Sequence, residues 1–177
     1  YDTMLNAIQR GLESEGTLHG DLHVIRKAKS LYNAHKKESD ELQRKRRLIA
    51  YAYAVAEENA SGGEIVTAPT CGASGIIPSC LRTMLEAGIS KDKLIDGLAV
   101  SGLFGNLIKF NASISGAEAG CQAEVGSACS MASAMIAHVY GLSLDSIEQA
   151  AEIALEHHLG LTCDPIMGYV QIPCIER

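Results

Sequence analysis

Cys121, Cys163 and Cys174 are the residues whose setting best suits chemistry. Cys121 follows Gly116-Ala-Glu-Ala-Gly120, where a flexible loop turns into a helix. Exposed backbone N–H groups and the helix dipole lower a thiol pKa there, toward the thiolate that binds metals. Cys163 lies just past a helical stretch and before Asp164-Pro165, and Cys174 follows Pro173, so both are expected in Pro-constrained loops. A structural zinc site brings four ligands, often in close Cys pairs, and a ferredoxin brings a tight Cys run; neither spacing occurs here. Three well-separated loop thiolates suit a cubane cluster whose fourth iron has no protein thiolate and acts as a Lewis acid. Spacing alone does not separate that reading from cysteines packed as small hydrophobes.

The remaining cysteines divide by context. Cys80 and Cys129 fall inside helical stretches among Ala, Met, Ser and Leu, where buried packing is expected. Cys71 lies in Thr70-Cys71-Gly72-Ala73-Ser74-Gly75, ahead of an apolar helix, where N–H groups and the dipole would receive a carboxylate. A simple connecting turn fits the same residues. His19 and His23 have a glycine between them and no third ligand nearby, which argues against a metal site. His138, His157 and His158 read as helix residues or dipole partners, and no residue is assigned as the catalytic base.

These groups must be held by helices. Periodicity predicts helices from about Met4 to Ser14 and from about Asp21 to Tyr32, separated by the Gly16 and Gly20 turn signals. Ser39-Asp40 caps a long helix to about Asn59, rich in good helix formers and ended by Ser61-Gly62-Gly63. Glu64 to Pro69 reads as a short extended piece, followed by helices at about Ile76–Ala87 and from Lys91 toward Leu103, the latter capped by Ser90. Gly116 to Tyr140 has hardly any charge after Glu124 and reads as one helix buried nearly all round. Ser143 caps a final helix to about His158, closed by Gly160. The expected class is all-α: one compact multi-helix domain over residues 1–177, with cluster-binding loops between helices.

Composition narrows the function. With 47% hydrophobic and 20% charged residues a sizeable core is available, and with 5% aromatic residues it must be filled by small and aliphatic side chains in close-packed helices. A net charge of -6 disfavours nucleic acid. The run Arg44-Lys45-Arg46-Arg47 reads as a solvated helix face. Lys109, Glu118 and Glu124 interrupt the most apolar region, so no membrane span is expected. Six cysteines without an export signal point to a reducing, cytoplasmic setting and to metal or redox chemistry rather than disulfides. The start at Tyr1 and the stop directly after a Cys-Ile-Glu-Arg motif suggest an internal fragment of a longer chain.

Three long strings carry a specific resemblance: Thr67-Ala-Pro-Thr-Cys-Gly-Ala-Ser-Gly-Ile-Ile-Pro78, Gly116-Ala-Glu-Ala-Gly-Cys-Gln-Ala-Glu-Val-Gly-Ser-Ala-Cys-Ser-Met-Ala132, and Gly160-Leu-Thr-Cys-Asp-Pro-Ile-Met-Gly-Tyr-Val-Gln-Ile-Pro-Cys-Ile-Glu-Arg177. From about Glu64 to the end the sequence resembles the α domain of the iron-sulfur-dependent L-serine dehydratases. The resemblance implies that Cys121, Cys163 and Cys174 hold a [4Fe-4S] cluster, whose open iron takes the serine hydroxyl and carboxylate. It further implies loss of the Cα proton and the Cβ hydroxide, then tautomerisation and hydrolysis to pyruvate and ammonia, without PLP. Thr70 to Gly75 becomes the substrate-binding element. The family frequently has Asn where this sequence has Cys71, which either is a tolerated swap or alters a polar substrate contact.

The resemblance also implies a β domain or β subunit as partner, a homo-oligomer, a role in amino acid degradation feeding gluconeogenesis, and an α region continuing past Arg177. Residues 1–177 alone are then expected to lack part of the active site and to be inactive. The alternatives are an iron-sulfur lyase for L-threonine or L-cysteine, a PLP enzyme using Lys109, and a non-catalytic four-thiolate cluster domain completed by Cys129.

Overall fold

Ser39 opens the longest stretch of good helix formers, and its Oγ accepts the Leu42 N–H at 3.3 Å, capping α3 (Asp40–Ala60). The structure is a computed structural model that describes residues 1–34 and 37–176. Arg177, the last residue of the third motif, lies outside them. In chain order the helices are α1 (Asp2–Glu13), α2 (Ala28–Tyr32), α3, α4 (Ile76–Glu86), α5 (Lys91–Asn111), α6 (Gly116–Ala119), a π-helical turn (Gln122–Gly126), α7 (Ser127–Val139), α8 (Leu144–Glu156) and α9 (Gln171–Glu176). Among the described residues there is no β-strand beyond two isolated bridges, so the all-α expectation holds. No helix of the described residues is long and apolar enough to cross a membrane.

Two helices organise the fold. The α3 helix packs against α1, α2, α4 and α9, while α7 packs against α4, α5 and α8, so α4 joins the halves. Ile77, Leu81, Met84, Leu94, Met131 and Met135 form the shared core between them. Burial of such side chains contributes about 1.5–3 kcal/mol each. Two buried acids on α3 tie down the N-terminal segment. Glu57 Oε1 accepts the N–H groups of Lys27 at 2.5 Å and Ala28 at 3.2 Å, and Glu58 pairs with Arg10 at 3.0 Å. These contacts offset part of the cost of burying the two carboxylates, while Glu57 Oε2 has no hydrogen-bond partner among the described residues.

Small residues set the close crossings, as a core poor in aromatics demands. A Cβ on Gly11 would overlap the backbone of Ala54, and one on Gly75 would stand 2.5 Å from the Ala52 carbonyl oxygen. Gly11→Ala is therefore expected to destabilise the protein by about 2–4 kcal/mol, although alanine favours an isolated helix by about 1 kcal/mol. Urea unfolding measures this, and an unchanged midpoint would mean that α1 does not approach α3 so closely.

Four expectations are corrected. Residues 21–27 are not helical: Leu18 and Val24 face across a turn, with the Leu18 N–H on the Val24 carbonyl at 2.8 Å, and burial of Leu18 outweighs helix propensity there. Residues 116–140 are not one helix, because Gly120 adopts φ +78° and breaks it before the π-helical turn. The α5 helix runs on to Asn111, eight residues past the expected end at Leu103. The basic run is only partly solvated: Arg46 pairs with Glu38 and donates to the Tyr32 carbonyl at 2.9 Å, and Arg47 lies over the Tyr32 ring. Glu64 to Thr67 joins no β-ladder, and Ala68-Pro69 is a cis peptide.

Cys80 and Cys129 lie inside α4 and α7 as expected. Burial pushes each thiol up to about 11, with the neighbouring Cys129 adding to the effect on Cys80. The folded state thus keeps both protons where the unfolded chain, near 9, releases them. Stability is present below pH 9, falls between pH 9 and 11, and levels off above that. Urea midpoints across this range check the sign, and Cys80→Ala/Cys129→Ala is expected to flatten the slope.

Candidate functional site

A cavity of about 600 Å³ opens where the C-terminal end of α3 meets three loops. Ala56, Asn59 and Ala60 of α3 form one wall, and Cys71 and Gly72 from the turn before α4 form the next. Gly116, Ala117 and Glu124 come from α6 and the π-helical turn, and Cys163 and Cys174 from the C-terminal segment. Three of the six cysteines, Cys71, Cys163 and Cys174, therefore line one cavity.

Cys174 is not in a loop as expected. It lies on α9, whose Ile175 is buried against Leu18 and Ala56 while Glu176 pairs with Lys27 at 2.5 Å. Those two anchors orient the short helix. The Cys174 N–H also bonds back to the Val170 carbonyl at 3.0 Å, and the Gln171 amide donates to the His19 carbonyl at 3.1 Å. Pro173 falls in the first turn, where its missing N–H costs nothing.

Cys163 lies in a loop, as expected. Gly160, at φ +91°, ends the preceding helical turns, and the loop closes in a tight turn at Met167 and Gly168, both with positive φ. Ile166 and Tyr169 exchange two backbone hydrogen bonds across it, at 2.8 and 2.9 Å. Tyr169 Oη donates to Asp21 at 2.6 Å, fixing the turn to the N-terminal segment.

Cys121 is buried, 3% exposed, and does not line the cavity. The Gln122 N–H donates to the Leu161 carbonyl at 3.0 Å, and Gln122 Oε1 accepts the Gly160 N–H at 2.7 Å. Of the three expected cluster cysteines, Cys163 and Cys174 line the cavity and Cys121 does not, although the residue after Cys121 bonds to the loop that leads to Cys163.

The Thr70 to Gly75 element is a series of turns leading into α4. Cys71 and Gly72 line the main cavity, while Gly72, Ala73 and Gly75 line a neighbouring one of about 270 Å³ that shares Cys174 with it. Asn59 Nδ2 holds the Cys71 carbonyl at 3.2 Å. Thr70 Oγ1 and Ser74 Oγ are buried without a hydrogen-bond partner among the described residues. Neither residue lines the main cavity. Such hydroxyls cost about 1–3 kcal/mol each when unsatisfied, so the element is not optimised for packing alone.

Among the described residues, no group of three or more His, Cys, Asp or Glu converges on a point that could hold one metal ion. A single zinc ion draws its ligands to about 2.0–2.3 Å. A multi-iron cluster instead takes each thiolate on a separate iron, so its ligands need not meet at one point; of the expected ligands, Cys163 and Cys174 line the cavity.

Glu124 was not singled out as a site residue by the sequence reading, nor was Asn59 in the α3 wall. The signal for Glu124 was its position as the last charge before a long uncharged stretch, three residues after Cys121. For Asn59 there was none, because only the packing of α3 brings it to the cavity. His19 also lines the cavity, although its spacing with His23 had suggested no role.

The family profile described as "Serine dehydratase alpha chain" matches residues 1–177. The chain is 51% identical to the L-serine dehydratase of Streptomyces coelicolor, with all of the chain aligned to 40% of that protein. It is 48% identical to L-serine dehydratase 2 of Escherichia coli, with all of the chain aligned to 40% of it, and 48% identical to the L-serine dehydratase of Helicobacter pylori, with all of the chain aligned to 41%. The chain spans about 40% of the length of the curated relatives it matches.

Proposed function

Because this chain belongs to the serine dehydratase alpha chain family, we propose that it forms the cluster-binding part of a lyase that converts L-serine to pyruvate and ammonia, with Cys121, Cys163 and Cys174 as ligands of a [4Fe-4S] cluster. The observation that carries the reading is the gathering of Cys163 and Cys174 on one cavity wall, with the backbone around Cys121 bonded to the loop that presents Cys163. When bound, such a cluster supplies a Lewis acid that makes the serine hydroxyl a viable leaving group.

The chain's own residues bind and orient. The three cysteines act as thiolates, which bind metal where thiols do not. The turn around Gly72 takes the substrate carboxylate beside Cys174, and the apolar α3 wall of Ala56 and Ala60 limits water. No residue is assigned here to remove the Cα proton.

Cys129 lies within α7 next to Cys80 of α4 and does not line the cavity, which supports three thiolates rather than four. Lys109, the PLP candidate, lies on an exposed shallow cleft with Leu103, Asn106 and Phe110, and does not line the cysteine cavity. The substrate alternatives L-threonine and L-cysteine differ from serine by a methyl group or a sulfur, a small pocket difference. Turnover of the three by the full-length protein decides among them.

Residues beyond these 177, corresponding to a β part of the enzyme, complete the site in this proposal, and the protein works as a cytoplasmic homo-oligomer. The isolated segment is then expected to form no pyruvate; robust turnover by it would refute that point. The test of the cluster is anaerobic iron and sulfide reconstitution followed by Mössbauer spectroscopy. One iron subsite shifting on addition of L-serine is the expected result, and four equivalent, unresponsive irons would replace the lyase reading with the four-thiolate one.

A further inference from the structure

Among the described residues, Glu124 is the one carboxylate lining the cysteine cavity, and no lysine or arginine lines it. Its carboxylate is held by shape. A Cβ on Gly116 would overlap Oε2, and a Cβ on Gly72 would stand 3.3 Å from Glu124 Oε2 and 3.3 Å from Cys174 Sγ. The acid and the thiol therefore face the same gap above Gly72, a gap that exists because both positions are glycine.

The backbone beneath Glu124 is fixed. It occupies the π-helical turn, a geometry that recurs at functional sites, and its neighbours Ala123, Val125 and Gly126 are buried. Among the described residues the Glu124 side chain makes no hydrogen bond and no ion pair, whereas the other acid of this region, Glu118, accepts from Ser113 Oγ at 2.6 Å. A half-buried carboxylate on an otherwise uncharged wall favours a cationic partner.

We propose that Glu124 binds the α-ammonium group of the amino-acid substrate and so selects amine-bearing ligands. This rests on the function proposed above. The placement fits the chemistry of the ligand: the ammonium and carboxylate of an amino acid share one carbon, so their subsites must be neighbours, and Glu124 adjoins the Gly72 turn. Glu124 here is a substrate-binding residue.

The test compares L-serine with 3-hydroxypropanoate, which keeps the hydroxyl and carboxylate but lacks the amine, on full-length, cluster-loaded protein. Binding is read by calorimetry and turnover by pyruvate formation. Glu124→Gln is expected to weaken L-serine binding and raise KM about 10- to 100-fold, with kcat changed less. Binding of 3-hydroxypropanoate should stay within about threefold and iron content should be unchanged. Glu124→Asp, which keeps the charge on a shorter arm, should recover part of the loss.

Equal weakening of both ligands, or no effect on L-serine, would overturn the proposal. Loss of iron in Glu124→Gln would also overturn it, in favour of a structural or ligand role, as would failure of Glu124→Asp to bind serine any better than the Gln variant. If the wild-type protein binds L-serine but forms no pyruvate, the proposed reaction fails while the binding comparison still decides the role of Glu124. A wild-type protein that does not bind L-serine refutes both.

Discussion

Cys174→Ser in the full-length protein is expected to lower the iron retained after anaerobic reconstitution from about four per chain to below about one, and to abolish pyruvate formation. Serine is a poor ligand for a soft iron-sulfur cluster, and the substitution changes one atom in a helix that Ile175 and Glu176 anchor. The fold should therefore survive, with a urea midpoint close to wild type. Cys163→Ser should behave alike. The informative control is Cys71→Ser, because Cys71 lines the same cavity yet is not assigned as a ligand. Full iron content in that variant is the expected outcome; iron loss in Cys71→Ser with retention in Cys121→Ser would exchange the roles of the two cysteines.

Gly120→Ala is expected to lower stability by about 2–4 kcal/mol and to reduce retained iron by at least about half, even though no ligand is altered. Two costs combine. Alanine at φ +78° is strained, and the added Cβ would stand 2.7 Å from the Leu161 carbonyl oxygen. That carbonyl accepts the Gln122 N–H, so relief of the overlap must move the Cys163 loop away from the Cys121 turn. Iron content and urea unfolding, measured on the same preparation, separate the two effects. Normal iron with lowered stability would mean that the Gly120 contact shapes the fold without setting the cluster geometry.

Much of the helical frame was legible because its signals are local. Ser39 and Ser143 each accept an N–H from the first turn of the helix they precede, as their sequence positions predicted. Gly160 ends the turns after α8 with positive φ. The misjudged stretches were those where distant contacts override local preference. Residues 21–27 have helical spacing, yet they fold into a turn that buries Leu18 and delivers the Lys27 and Ala28 N–H groups to Glu57. The α9 helix was hidden by Pro173 and by its own brevity, and it forms because Ile175 docks on α3.

For the site, the division follows the range of the forces. Residue type and neighbouring Gly and Pro marked Cys121, Cys163, Cys174 and the Thr70 to Gly75 turn, because reactivity and turn formation depend on side-chain chemistry and adjacent backbone freedom. Which of these groups share a cavity was decided only by tertiary structure. Cys71 enters it, Cys121 is covered, and Glu124 reaches the gap above Gly72 beside Cys174. Helix packing sets those distances through contacts such as Gly11 on Ala54 and Ile175 on Ala56, between residues too far apart in sequence for any local pattern to encode.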